Sequence, residues 1–292
     1  MTSDADERDD RTGRRTELIT PEPAEALAGL LDVEPPAGEL PALWHWVYLL
    51  DRPRQRDLGP DGHPRHGIPA PPGPGRRRMF AGGRVSTHAL LRFGAPATRM
   101  TRVVRTVEKE GRAGPLTFVT VRSEIEQGGR TVIADEQDIV YRAPGSALPA
   151  RPAADEPPHP EAGLALDVDA VLLFRFSALT YNAHRIHYDA AYAAQEGYPG
   201  LVVHGPLQAL MMGELIRRSG VPLIGREFAY RLVAPMFGAQ RLTVAPVPAQ
   251  SGASAQAQAQ VQVRDAGGRV TATCSLHPAA LWTGPSDRVR PT

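Results

Sequence analysis

The stretch Gly205-Pro206-Leu207-Gln208-Ala209-Leu210-Met211-Met212-Gly213-Glu214-Leu215-Ile216-Arg217-Arg218-Ser219-Gly220 constrains the fold of this chain more than any other. Apolar residues fall at 207, 210, 211, 212, 215 and 216, so the dry face covers most of the circumference, as in a helix wrapped by other structure. Pro206 starts this helix, Arg217 and Arg218 lie at its negative end, and Gly220 stops it. A helix of about fifteen residues is about 22 Å long, which matches a strand of roughly seven residues.

The rest of the chain supplies the wrapping. Period-two segments at Val85 to Phe93, Thr101 to Lys109, Leu116 to Glu126 and Arg130 to Tyr141 read as an antiparallel meander with Gly-containing turns. A second set reads at Glu227 to Ala234, Ala239 to Ala245, Ala253 to Asp265 and Arg269 to Leu276. Each set follows an irregular segment. In the first half this holds a helix begun by Thr20-Pro21 with Leu27, Leu30 and Leu31, an aromatic strand or buried turn at Trp44 to Leu50, and a Pro/Gly/Arg-rich loop over 51–79. In the second half it holds the apolar run Val168 to Phe176, a polar loop and the long helix. The repeated order predicts a duplicated unit. The expected class is α+β, a double hot dog in which two antiparallel sheets each curl around a central helix. The expected organisation is a disordered tail (1–16), an N-terminal half (17–145), a linker (146–163), a catalytic C-terminal half (164–282) and a tail (283–292).

Composition removes several function classes. Lys and Arg number 33 against 32 Asp and Glu, a formal charge of +1, which gives no field to gather nucleic acid. No run approaches the roughly 20 apolar residues of a membrane span, and residues 1–16 lack the apolar core of a signal peptide. The single cysteine, Cys274, excludes an internal disulfide and a thiolate metal cluster. The expected setting is the cytoplasm, with no membrane partner. Lysine occurs once, at Lys109, so arginine is the general basic residue and a lone Arg carries little functional weight.

Chemistry concentrates in Phe174 to Asp189, where Asn182, His184, Arg185, His187 and Asp189 lie between an apolar strand, the run Val168 to Phe176, and an apolar helix. Histidine is the side chain most easily set to exchange protons near neutral pH. One such His would read as a buried turn residue; His184 and His187 beside Asn182, followed by Leu201-Val202-Val203-His204-Gly205, read as a site. Metal ligation by His184, His187 and His204 is the lesser reading, because the spacing matches no closed pattern. No Gly-x-Ser-x-Gly elbow and no Gly-rich phosphate loop is present.

The strings Asn182-Ala183-His184-Arg185-Ile186-His187 and Gly200-Leu201-Val202-Val203-His204-Gly205 resemble the hydratase 2 motif of the MaoC-like family. In that family an Asp and a His five residues later flank a thioester, and the glycine opening the helix follows eighteen residues on, as Gly205 follows His187 here. The resemblance is nearest to the double-hot-dog branch of mesaconyl-C4-CoA (3-methylfumaryl-CoA) hydratases and type 2 hydroxyacyl-thioester dehydratases. That branch is matched by Leu58 to Pro64, Arg77 to Gly83, Glu136 to Arg142 and Ser177 to Asp189.

The resemblance implies a hydro-lyase that adds water to, or removes it from, an α,β-unsaturated acyl thioester. His187 is then the expected general base and acid, with His184 nearby, and the Gly205 amide at the helix start is the donor for the thioester oxygen. Asn182 stands where the wider family has Asp; an amide exchanges no proton, so its carbonyl is expected to hold a water. Arg76, Arg77, Arg78, Arg185 and Arg231 are the candidate cations for coenzyme A phosphates or a substrate carboxylate. Coenzyme A as part of the substrate is the only cofactor expected, no metal is expected, and further pairing of hot-dog units points to a homodimer. Two other readings stand beside this one: a dehydratase acting on acyl carrier protein thioesters in fatty-acid or polyketide metabolism, and a non-catalytic acyl-thioester binding protein.

Overall fold

The computed structural model describes residues 12–69, 76–111, 114–142, 163–247 and 260–279. The expected linker at 146–162, the tail at 283–292 and the start of the expected strand at 253–259 lie outside these residues.

Ten strands form one continuous antiparallel sheet. The first five are β1 (Thr12–Leu18), β2 (Arg77–Thr87), β3 (Pro96–Gly111), β4 (Gly114–Gln127) and β5 (Arg130–Arg142). The second five are β6 (Leu164–Val168), β7 (Arg226–Leu232), β8 (Gln240–Pro246), β9 (Gln260–Arg264) and β10 (Val270–Pro278). Their order across the sheet is β1-β3-β4-β5-β2-β7-β10-β9-β8-β6. Each five-strand unit therefore has the same internal order, with its first strand at the outer edge and its second strand at the seam. β2 and β7 pair antiparallel at the seam, Gly82 opposite Arg231 through Thr87 opposite Arg226. The duplication expected from the sequence is present in the topology, but the two sheets are joined edge to edge into one.

The helices are α1 (Glu22–Leu31), α2 (Ala170–Leu179), α3 (Ala190–Gln195) and α4 (Gly205–Arg218). α1 and α2 each follow the first strand of their unit and pack on each other. α4 rests on β7, β8, β9 and β10 and reaches β2 across the seam. Leu207, Ala209, Leu210, Met211, Met212 and Ile216 are all buried, as its apolar positions require. No equivalent long helix precedes β2 among the described residues. In its place stand a 3₁₀ turn at Trp44–Val47 and an irregular segment through residue 69.

The 3₁₀ turn is the buried-turn alternative for the aromatic run, and two carboxylates pin it. Trp44 Nε1 donates to Glu214 Oε1 on α4 (2.9 Å), and Trp46 Nε1 donates to Asp135 Oδ2 on β5 (2.8 Å). Glu214 is buried and also accepts from Arg217 (2.7 Å). One hydrophobic cluster runs through both units, from Leu27 and Trp44 through Ile125 and Ile133 to Met212 and Val263. No helix among the described residues is long and apolar enough to cross a membrane.

Three sequence expectations are corrected. Residues 12–16 belong to a strand rather than a tail, because β1 finds β3 as a partner, with Arg14 opposite Met100 and Leu18 opposite Pro96. The first strand of the meander is Arg77–Thr87 rather than Val85 to Phe93: β2 is paired on both sides, by β5 and β7, and ladder bonding outweighs its Arg- and Gly-rich composition. The apolar run from Val168 becomes α2, because the Asp169 side chain accepts from Leu172 N (2.7 Å) and caps a helix start.

Trp44→Phe keeps most of the buried volume but leaves Glu214 short of one donor. A hydrogen bond to a charged group is worth about 1.5–3 kcal/mol, so urea unfolding should show a loss of that size; an unchanged midpoint would mean that the pin contributes nothing.

Candidate active site

A cavity of about 1190 Å³ is lined by both units, on the side where the first unit carries no long helix among the described residues. His187, His184, Asn182 and Gly205 line it, together with Asp61's neighbours Gly62 and His63 and with Arg78. The first unit contributes His45, Trp46, Asp135 and Gln137 to the wall.

Local chemistry places each group. α2 ends with Thr180 Oγ1 donating to Phe176 O (2.8 Å), and Tyr181 then adopts a left-handed φ of 49°. That turn swings Asn182 into the cavity wall, where its N–H donates to Ser177 O (2.8 Å). Asn182 Oδ1 accepts from His184 N (3.0 Å). One lone pair of its carbonyl is thus engaged by the backbone, which leaves the second lone pair and the amide nitrogen for other partners. The chain continues through a 3₁₀ turn at Arg185–His187, strapped to the α4 approach by Val202 N donating to Ile186 O (2.9 Å). Asp189 caps α3 by accepting from Tyr192 N (3.0 Å) and pairs with Arg185 (2.7 Å), so it serves structure and is no part of the cavity wall.

His187 is buried, and its Nδ1 donates to Val202 O (2.7 Å). That bond fixes the tautomer and leaves the lone pair on Nε2. The ring stacks on His204 with centroids 3.7 Å apart. His204 has no solvent exposure; its Nε2 is 2.9 Å from Ser177 Oγ, and its ring meets Phe176 edge-on at 4.9 Å. Neither Ser177 nor this positioning role of His204 is legible from sequence spacing. His184 lies 5.5 Å from His187, edge to face, and 4.0 Å from the ring of His63.

His63 reaches the site from the first unit, on the loop Leu58 to Pro64. Asp61 binds it twice, accepting from His63 N (3.0 Å) and from His63 Nδ1 (3.1 Å). Asp61 O accepts from Arg185 N (2.9 Å), and Arg185 Nη1 donates to Pro60 O (3.0 Å). Gly62 sits at φ +89°, and a Cβ there would lie 1.8 Å from Ala183 O. Only glycine lets this loop close on the 182–184 segment.

At the start of α4 the Gly205 N–H meets no acceptor among the described residues and lies at the positive end of the helix. A Cβ on Gly205 would come within 2.1 Å of Leu232 Cδ1 and 3.1 Å of Phe80 Cδ1. The glycine is demanded by protein packing first.

Burial holds the imidazoles neutral. It pushes His187 down to about 4 against the opposing Val202 hydrogen bond. It lowers His204 and His184 as well, with neighbouring imidazoles adding to the shift. His63 is lowered by burial and by Arg78, while its bond to Asp61 acts the other way. Burial works to raise Asp61, but the hydrogen bonds and charge of His63 outweigh it and the carboxyl stays below its ordinary range.

Of the five candidate arginines, Arg78 lines the cavity. Arg77 pairs with Glu196 (2.7 Å), Arg185 with Asp189, and Arg231 is exposed on β7. Arg76 stands outside the wall, with its Nη1 buried and without a partner among the described residues. Asp61, His63 and His184 offer ligand atoms within 4.8 Å of one another, a set able to take a metal ion; the Arg78 charge beside His63 and His184 opposes a dication there.

Comparison with known proteins agrees with this geometry. Residues 43–238 match the model of the family described as hydroxyacyl-thioester dehydratase type 2. The chain is 49% identical over 223 residues to mesaconyl-C(4)-CoA hydratase of Chloroflexus aurantiacus, covering 73% of this chain and 79% of that one. HtdX of Mycobacterium tuberculosis shares the fold at a TM-score of 0.63 and 13% identity, covering 92% of this chain and all (100%) of that one. A second Mycobacterium tuberculosis protein, described as having a double hotdog fold, matches at a TM-score of 0.51 and 14% identity over 91% of this chain and 94% of that one.

Neutral buried imidazoles make the fold acid-labile. Each takes up a proton more readily unfolded, near 6.5, than folded; for His187 the folded value is about 4. Stability is therefore complete above pH 6.5 and is lost as pH falls toward 4, by at most roughly 1.4 kcal/mol per pH unit for each imidazole. Melting curves should fall steeply between pH 6.5 and 5; a flat profile would contradict the burial of this stack.

Proposed function

The chain belongs to the hydroxyacyl-thioester dehydratase type 2 family, of MaoC-like hydro-lyases, and on that premise we propose that its substrate is the CoA thioester of a short, methyl-branched enedioate of the mesaconyl type. The observation that carries the acyl group is Arg78, a guanidinium lining the same cavity as His187 and Gly205. A half-buried guanidinium in a cavity wall suits a carboxylate, which it binds with paired N–H donors. A plain fatty acyl chain would offer that charge no anion beyond the Asp61 carboxylate already acting on it.

Hydration requires a nucleophilic water at C3, a proton at C2, and donors for the charge that develops on the thioester oxygen. The Gly205 N–H, at the start of α4, is the donor for that oxygen; such a group is typically worth about 2.7–4 kcal/mol of transition-state stabilisation. His187 presents its Nε2 lone pair to the water, and stacking on His204 keeps the ring from turning. The Asn182 amide nitrogen orients the acyl group without exchanging a proton. No cofactor beyond the coenzyme A of the substrate enters this scheme. The proposal includes a homodimer in the cytoplasm, where acyl-CoA thioesters are made and a lone cysteine stays reduced.

His187→Ala should lower kcat for hydration about 10²–10⁴-fold, read as loss of enoyl-thioester absorbance, with the fold intact. Arg78→Met should lower the ratio of kcat/KM for mesaconyl-C4-CoA over crotonyl-CoA by at least tenfold. An unchanged ratio would remove the enedioate assignment, and full activity of His187→Ala would remove the hydratase site.

A further inference from the structure

The hydration scheme needs a group that takes a proton from water and returns it to carbon. Asn182 cannot do so. Four imidazoles stand ring to ring at this site, those of His63, His184, His187 and His204, with His187 and His204 stacked. An imidazolium formed in a desolvated cavity needs an anion beside it. His187 donates to a neutral carbonyl, and His204 meets a hydroxyl. Of the four, His63 is the one hydrogen-bonded to a carboxylate among the described residues, Asp61 at 3.1 Å. His63 is also the one that enters from the other half of the chain.

Resting on the hydratase reading above, we infer that the Asp61–His63 dyad is the proton carrier of this site, with His63 as a catalytic residue and Asp61 as its positioning residue. Asp61 holds the Nδ1–H of His63, so the Nε2 lone pair is the reactive end; a carboxylate orients a catalytic imidazole and steadies its charge in this way. Water, held by His187, loses one proton to His63 Nε2 as its oxygen bonds to C3. The C2–C3 π pair moves to C2 and the thioester oxygen, where the Gly205 N–H meets the charge. His63 then returns the same proton to C2, the carbonyl re-forms, and His63 is neutral again. One water is consumed, and His187 stays neutral throughout.

The groups facing His63 set its basicity. Asp61 on its own loop favours the protonated form, whereas Arg78 on β2 and the rings of His184 and His187 across the cavity do not. A substrate carboxylate on Arg78 would cancel the largest opposing charge. The enzyme would then be a stronger base with its dicarboxylate bound than empty.

The loop that carries the dyad is fixed to the 182–185 segment by the Gly62 contact and by both Arg185 hydrogen bonds, so the two halves present their histidines in register.

The test compares full-length His63→Gln, His63→Ala, Asp61→Asn and His187→Ala with mesaconyl-C4-CoA. His63→Gln keeps a donor for Asp61 and so guards against misfolding of the alanine variant. The expected result is a fall in kcat of at least about 10²-fold for both His63 variants, with KM within threefold, an unchanged melting temperature, and partial rescue of His63→Ala by added imidazole. Asp61→Asn should move the acid limb of the pH–kcat/KM profile to lower pH, because the carboxylate that raises His63 is gone. Activity of His63→Gln within threefold of the parent, with His187→Ala inactive, would overturn the dyad and leave the hydratase reading standing. Activity in both would overturn the two together.

Discussion

A ten-stranded sheet made of two like units has two faces to fill, and among the described residues one long helix, α4, is there to fill them. α4 covers the second unit and reaches across the seam to β2. The first unit is closed only by α1, a 3₁₀ turn and an irregular segment. Protein interiors normally pack at the density of organic crystals, so a missing helix must appear either as collapse or as a cavity. Collapse is prevented by the carboxylates that pin Trp44 to Glu214 and Trp46 to Asp135 across that face. The result is a cavity of about 1190 Å³ whose wall comes from both units. Everything chemical in the molecule depends on that asymmetry.

The cavity wall then dictates the electrostatics. Burial keeps imidazoles uncharged, which lets the rings of His187 and His204 stack at 3.7 Å without repulsion. A neutral stack offers lone pairs and fixed orientation, but it has no place for a positive charge to rest. The charges that act on His63, on Asp61 and Arg78, both come from the first unit. The second unit supplies His184, His187 and the start of α4, while the first supplies Arg78 and the loop that carries His63. A duplicated fold has thus divided one task between its copies, with neither half complete alone.

How far this was legible in the sequence follows from how local each signal is. α4 was readable because its apolar positions, its proline and its glycine stop all lie within one stretch. Asn182, His184, His187 and Gly205 were readable as a group because two short turns hold them, and they do share one cavity. β1 and β2 were misread because their composition is polar or glycine-rich, and only pairing with β3, β5 and β7 makes them strands. The five arginines looked alike as a list; a place in the cavity wall separates Arg78 from Arg77 and Arg185, whose charges are met by Glu196 and Asp189. The Leu58 to Pro64 string was visible as a likeness to its branch, but no spacing rule could bring Asp61 and His63 to His184. That contact exists only because Gly62 lets one backbone touch another.

The exchange of Asp for Asn at 182 has a physical cost on either side of the choice. A carboxylate at 182 would add a charge to the wall that His184 and Arg78 also line, and a carboxylate sharing a desolvated site with the substrate's own would raise the pKa of both until one is neutral. An amide removes that conflict while keeping the one bond the turn requires, Asn182 Oδ1 accepting from His184 N. The proton function then has to reside elsewhere, on a group with its own counter-charge. Asp61 and His63 meet that condition as a pair, held at 3.1 Å on a loop that the other half of the chain lays across the slot. Read in this way, asparagine at 182 is the consequence of moving the carboxylate to the opposite wall, where it can orient an imidazole and leave the substrate's own charge to Arg78.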